Sequence, residues 1–160
     1  MTRQQFISQV ECSQKAFRRY LTALCCGDSA LADDIAQEAL MKAYVARDSL
    51  GDQSKFAAWI YRIGYNTFLT HRRSERYTED ISEARSTAAV DTADGAFRYQ
   101  ALYGALDRLP AKERSAILLF YLDGYAIKEI CAIISASEAA VKQYLSRGRN
   151  HLRQYLSVNE

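Results

Sequence analysis

Side chains able to do chemistry fall into three clusters along this chain, and none of them is laid out like an active site. The first, Lys142, Gln143, Ser146, Arg147 and Arg149, mixes cations with amide and hydroxyl groups near the C-terminus. Cations neutralise phosphates while amides and hydroxyls can read base edges, so this mixture suits a DNA duplex. The second, Tyr61, Arg62, Tyr65, Asn66 and Arg73, interleaves aromatic rings with cations. Rings stack unpaired bases, at about 1–3 kcal/mol each, and cations follow the backbone of a single strand. The third, Asp33, Asp34, Gln37 and Glu38, is acidic and suits either a basic protein surface or plain solvent.

Enzymatic chemistry finds no comparable foothold. There is no Gly-rich phosphate loop, no H-E-x-x-H and no Gly-x-Ser-x-Gly. His71 sits among arginines and is expected to touch phosphate rather than act as a base, and His151 is far from it. Cys12, Cys25, Cys26 and Cys131 form no C-x-x-C pair, so they are expected to be buried as small hydrophobes; neither a metal nor a cofactor is expected.

Charge is segregated along the chain, although the formal total is only +2. Residues 28–52 carry Asp28, Asp33, Asp34, Glu38, Asp48 and Asp52 against Lys42 and Arg47. The balance reverses with Lys55, Arg62, Arg72, Arg73 and Arg76, turns acidic through Glu79, Asp80, Glu83, Asp91 and Asp94, then basic again at Lys142, Arg147, Arg149 and Arg153. Two basic segments divided by an acidic one point to two separate nucleic-acid surfaces. No apolar run approaches the roughly 20 residues of a membrane helix, and the N-terminus has no signal-peptide core, so no membrane insertion and a cytoplasmic location are expected.

The elements that must position these clusters are helices. One proline and seven glycines leave little punctuation for strands, and apolar residues recur at three- and four-residue steps. Phe6, Val10, Phe17, Leu21 and Leu24 mark a first helix, and Gly27-Asp28-Ser29 breaks it and caps the next. Ile35, Ala36, Ala39, Leu40 and Ala43 give the second, over about residues 30–47, an apolar side, leaving Asp33, Asp34, Gln37 and Glu38 mostly outside. Phe56, Trp59, Ile60, Ile63 and Phe68 stripe a third, ending near Arg73, with Trp59 assigned to the core. Residues 1–75 are therefore expected to form one small domain, 76–93 a flexible linker nearly devoid of large apolar residues, and 94–160 a second domain. The fold class is all-α.

Within the second domain, residues 125–134 read as a short helix and Ser135-Ala136 as a tight turn. Ser137 is a good N-cap, and Glu138 suits the positive end of the helix it opens. Ile130 and Ile133 can meet Val141 and Leu145, which is helix-turn-helix geometry with Ala139 and Ala140 small enough for close approach to DNA. Spacing alone also suits an ordinary helical hairpin with a solvated basic face.

A family resemblance narrows the choice. Leu109-Pro110-Ala111-Lys112-Glu113-Arg114 through Tyr121, Gly124, Ile127-Lys128-Glu129-Ile130, then Ser137 to Lys142 and Leu145 to Arg149, resembles the −35-binding domain of sigma-70 family RNA polymerase sigma factors, most of all the extracytoplasmic-function (ECF) group. Residues 32–40 resemble that group's polymerase-binding helix, and residues 56–66 its −10-recognising helix. The three motifs stand in the family's order. The resemblance implies a non-enzymatic factor that binds core RNA polymerase, directs promoter recognition and helps melt the DNA. It implies docking of Asp33, Asp34, Gln37 and Glu38 on the β′ coiled coil and an anti-sigma factor as a further partner. It implies a pocket for an unstacked base at Asp52, Gln53, Ser54 and Lys55, −10 contacts by Tyr61, Arg62, Tyr65, Asn66 and Arg73, and −35 contacts by Ser137, Glu138, Ala139, Ala140, Lys142, Gln143, Ser146, Arg147 and Arg149. A stand-alone helix-turn-helix regulator and a helical adaptor without a DNA role are the competing classes.

The chain departs from the family pattern at several positions. Ser135 replaces the usual turn glycine and is expected to strain a left-handed residue by about 1 kcal/mol. Tyr65 and Tyr144 stand where arginine is common, and Thr70 where aspartate is common. Gly148 inside the last helix is expected to cost about 1 kcal/mol relative to alanine.

Overall fold

The structure, a computed structural model, describes residues 1–79 and 95–157, and those residues contain seven α-helices and no strand. Helix α1 spans Arg3–Leu24 and opens on a reciprocal cap. Gln5 N donates to Thr2 Oγ1 at 3.1 Å, and Thr2 N donates to Gln5 Oε1 at 2.9 Å. It ends at a tight reversal in which Cys26 (φ 54°) and Gly27 (φ 90°) are both left-handed.

Asp28 starts α2, Ser29–Val45, by accepting the Leu31 N–H at 3.1 Å. The buried face of α2 is Ala32, Ile35, Ala36, Ala39 and Ala43, mostly alanines, so its backbone lies close to α1 and α3. Short 3₁₀ turns at Arg47–Ser49 and Gln53–Lys55 lead into α3, Phe56–Glu79. Gly64 lets α1 and α3 touch: a Cβ there would lie 2.6 Å from Phe17 Cε1. Helix α3 therefore runs past the expected domain end at residue 75, and residues 76–79 of the expected linker are helical. The remainder of that linker, 80–93, lies outside the described residues.

The second group begins with α4, Gly95–Asp107. Pro110 precedes α5, Ala111–Ile117, which widens into a π-helical turn over Leu118–Leu122. Gly124 (φ 69°) turns the chain into α6, Ile127–Ile134, whose first turn is closed by Ala126 N donating to Glu129 Oε2 at 2.9 Å. Ser135 reverses the chain at φ 53°, as the turn demands, and α7 runs from Glu138 to Ser157. Ser137 Oγ accepts the Ala140 N–H at 3.1 Å, the N-cap expected of it. Ile130, Ile133, Val141 and Leu145 are all buried in one cluster, so α6 and α7 form the expected helix-turn-helix.

The glycine of α7 has a packing reason. A Cβ at Gly148 would lie 2.8 Å from Ile117 Cγ1, so glycine brings α7 down onto α5 and offsets the helix-propensity cost.

The two helical domains pack against each other, with α3 on α6 and α1 on the π-helical turn, and one buried cluster runs through both. Tyr20 and Ser115 hydroxyls share a buried hydrogen bond of 2.7 Å across this contact. Tyr61 Oη donates to Asp123 Oδ1 at 3.2 Å, and Arg19 Nη2 donates to the same oxygen at 3.4 Å. The Tyr61 ring meets Tyr125 edge-on at 5.3 Å. Arg114 is buried and spends its guanidinium on carbonyls: Leu106 (2.8 Å), Leu24 (2.9 Å), Leu109 (3.1 Å) and Asp107 (3.3 Å). It thus ties the C-terminal end of α1 to that of α4, where unpaired carbonyls and the negative end of each helix favour a cation.

Candidate polymerase and nucleic-acid interfaces

On α2, Asp33, Asp34 and Gln37 are exposed and Glu38 is half-buried. Asp33 is drawn to Arg18 of α1 at 3.3 Å. Glu38 pairs with Lys42 at 3.2 Å and with His71 of α3 at 2.6 Å. The His71 bond, then Lys42, hold the Glu38 carboxyl below its usual range. His71 was expected near phosphate; it bridges α3 to α2 instead, because its place on α3 faces the neighbouring helix. Sequence reasoning also missed Met41 and Val45, which are 71% and 82% exposed. Spaced three, four and four residues apart, Asp34, Gln37, Met41 and Val45 share one face of α2. Two apolar residues in line with the acidic ones were the available signal. A carboxylate–amide rim beside uncovered aliphatic side chains has the composition of a protein-docking face.

Ahead of α3, Asp52, Gln53, Ser54 and Lys55 are all exposed. Asp52 Oδ1 accepts the Ser54 N–H at 3.0 Å and the Ser54 hydroxyl at 2.7 Å, and those bonds lower its carboxyl below the ordinary range. Gln53 Nε2 reaches Gln5 Oε1 at 3.5 Å, so the loop leans on the start of α1. On α3 itself, Arg62, Asn66 and Arg73 are exposed and, at spacings of four and seven, line up on one face.

Tyr61 and Tyr65 do not join them. Both are buried, Tyr61 stacked on Tyr20 at 4.9 Å and tilted against Phe17 at 5.5 Å. Burial pushes the Tyr61 hydroxyl far above its ordinary range and the Tyr65 hydroxyl to about 12. In this conformation neither ring is presented to DNA, contrary to the sequence expectation. The reason is that α3 is covered on two sides, by its own domain and by α6, so its buried face is wider than a single stripe. Trp59 is partly buried against Phe56 at 5.9 Å, on the core side as expected.

On α7, Ser137, Glu138, Ala139, Lys142, Gln143, Ser146 and Arg147 are exposed, with Ala140 half-buried. Ala139, Lys142, Gln143 and Ser146 share one face, and Lys142 pairs with Glu138 at 3.4 Å. Arg149 differs from expectation: it is half-buried, and its Nη1 donates to Tyr121 Oη at 3.1 Å, which diverts it from phosphate.

The cysteines divide. Cys12 is exposed, contrary to expectation, while Cys25, Cys26 and Cys131 are half-buried. Burial raises the Cys25 thiol to about 12 and the Cys26 thiol to about 11, which leaves both protonated and unreactive at neutral pH. No cluster of three or more metal-ligating side chains occurs among the described residues. No helix there is long and apolar enough to cross a membrane.

Two exposed faces of cations and amides, on α3 and α7, and an exposed acidic face on α2 belong to an all-helical, two-domain chain ending in a helix-turn-helix. Comparison with known proteins then names the family. Residues 10–78 match sigma-70 region 2, and residues 99–152 match sigma-70 region 4. The chain is 33% identical to the ECF RNA polymerase sigma factor SigW of Bacillus subtilis, over 78% of this chain and 75% of that one. It is 29% identical to the ECF RNA polymerase sigma factor EcfG of Rhodopseudomonas palustris, over 83% and 75%. Its fold matches the sigma factor RpoE of Bartonella quintana, solved in complex with the anti-sigma factor NepR, at TM-score 0.82 and 28% identity, covering 97% of this chain and 98% of that one. The chain belongs to the ECF group of RNA polymerase sigma factors. It is a non-enzymatic factor that directs promoter recognition in transcription initiation.

Proposed function

We propose that each exposed surface performs one of the three jobs of promoter opening. The α2 face of Asp34, Gln37, Met41 and Val45, with Asp33 and Glu38 at its edge, docks on the β′ coiled coil of core polymerase. The 52–55 loop and the Arg62–Asn66–Arg73 face hold the −10 strand once its bases unstack, the loop offering hydrogen-bond partners to a flipped base. The N-terminal half of α7 lies in the −35 major groove, with Ala139, Ala140 and Gln143 toward base edges and Lys142 and Arg147 toward phosphates. The chain works in the cytoplasm and takes an anti-sigma factor as a regulatory partner, as the Bartonella relative does.

The observation that carries this assignment is the separation of signs on exposed faces: carboxylates and aliphatic groups on α2, cations and amides on α3 and α7. Charge reversal on one face should therefore disable one job. Asp34→Arg is expected to weaken core polymerase binding at least about tenfold, since a charge mismatched across an interface costs several kcal/mol. Arg62→Ala with Arg73→Ala should leave polymerase binding intact and abolish open-complex formation. Equal polymerase affinity for Asp34→Arg and the unchanged chain, measured by pull-down and titration, would remove α2 from the docking role.

A further inference from the structure

A cavity of about 200 Å³ opens between the C-terminal half of α3 and the start of α5. Of the described residues, Leu69, Arg72 and Arg73 line it from α3, and Pro110 and Ala111 line it from the other side. Its charged lining is a pair of guanidinium groups, and none of these residues is acidic. Arg72 is half-buried and Arg73 exposed, so one cation stands in the wall and the other at the mouth. Like charges in one partly enclosed cleft repel each other and focus a positive potential, which a bound anion offsets. A guanidinium also presents a planar fork of donors that matches the oxygens of a phosphate. Tyr65 lies one turn before Leu69 on the same face of α3 and is 2% exposed. Its buried hydroxyl has no hydrogen-bond partner among the described residues. Burial, then Tyr144, raise that hydroxyl to about 12, and Arg72 stands near enough to pull against them. An unmet buried donor thus lies beside the cation of the cavity wall. Drug-sized ligands fill roughly 300–1,000 Å³, so this cavity suits a small group rather than a whole nucleotide.

We propose that this cavity is a binding site for a small polyvalent oxyanion, a diphosphate group held between the Arg72 and Arg73 guanidiniums. Leu69, Pro110 and Ala111 flank the ion pairs with apolar surface, which keeps water from them and strengthens them. Free pyrophosphate and the tail of a nucleoside diphosphate share this chemistry, the nucleoside then lying outside in solvent. Arg73 also belongs to the face assigned above to the −10 strand. An occupant of the cavity therefore competes with that strand for one cation and lowers the chain's hold on unstacked bases. This consequence rests on the −10 assignment, whereas the site itself does not.

The test is calorimetric titration of the full-length chain with inorganic pyrophosphate, with metal-free adenosine diphosphate and with glutamate, all at constant ionic strength. Two variants probe the site: Arg72→Gln, which removes the wall cation, and Ala111→Leu, which fills the cavity and keeps both guanidiniums. Pyrophosphate is expected to saturate the unchanged chain with a dissociation constant below about 1 mM, and either variant should weaken it at least about tenfold. Should Arg72→Gln lose helicity by circular dichroism, Ala111→Leu alone decides. Adenosine diphosphate binding as tightly as pyrophosphate would mark a nucleotide tail as the occupant, and weaker binding would mark the free ion; both results uphold the site. No saturation by about 10 mM, glutamate binding as tightly as pyrophosphate, or full affinity in a helical Ala111→Leu chain would overturn it. Pyrophosphate should also displace a labelled single-stranded oligonucleotide from the unchanged chain and not from Ala111→Leu. A strand that stays bound while the cavity is filled would overturn the competition. Strand binding indifferent to Arg62→Ala with Arg73→Ala would instead defeat the −10 assignment, while the pyrophosphate titration would still decide the site.

Discussion

Ser135 closes α6 with φ 53°, a conformation in which a Cβ is strained by about 1 kcal/mol. Its side chain is exposed and has no packing role to offset that. Ser135→Gly is accordingly expected to raise the unfolding free energy by about 1 kcal/mol in a urea titration; an unchanged or lowered midpoint would show the strain to be absent. Glu38 gives a pH-dependent counterpart. Its carboxyl titrates lower in the folded chain than its ordinary value, so the bridge to His71 and Lys42 is fully present above the ordinary glutamate range. It is lost as pH falls through the lowered folded value. The thermal-melt difference between the unchanged chain and Glu38→Gln should therefore be largest near neutral pH and shrink below about pH 4. A difference that is constant across that range would rule out the carboxylate as its source.

At the scale of elements, two close approaches set the packing. Gly64→Ala would drive a methyl against the fully buried ring of Phe17, at 2.6 and 2.8 Å from two of its carbons. That overpacking is expected to destabilise the first domain by about 1–3 kcal/mol, read from denaturant midpoints. Arg114→Met would strip the Leu24, Leu106 and Leu109 carbonyls of a buried charged donor, with an expected loss of at least about 3 kcal/mol. The helix-turn-helix was legible because local signals agreed: Ser137 caps, Glu138 follows, and Ile130, Ile133, Val141 and Leu145 fall at helical spacing. The acidic face of α2 was legible for the same reason, since its alanine-rich side left the carboxylates outside. Tyr61 and Tyr65 misled because a tyrosine has an apolar body and a polar tip, and period alone does not say which end is covered. Only the second domain, distant in sequence, completes their burial. The contacts of Asp123, Ser115 and Arg114 were not legible because their partners Tyr61, Tyr20 and Leu24 are remote in the chain and the contacts are polar.

At the scale of the whole molecule, the proposed surfaces would let a chain of nearly balanced charge serve a single strand, a duplex and one protein from separate faces. With only Lys142 and Arg147 proposed to meet phosphates, affinity for duplex DNA should be weak without polymerase to fix both domains in place, and should fall with salt at a shallow logarithmic slope of about −2. Tight, sequence-specific mobility shifts by the free chain would contradict that division of labour. The measurement that bears most directly on the whole account is run-off transcription with purified core polymerase, on a library of fragments from the chain's own genome, with and without this protein. Transcripts starting at a shared pair of upstream elements only when the chain is added are the predicted result. Core polymerase that neither binds the chain nor gains any promoter preference from it would contradict the account.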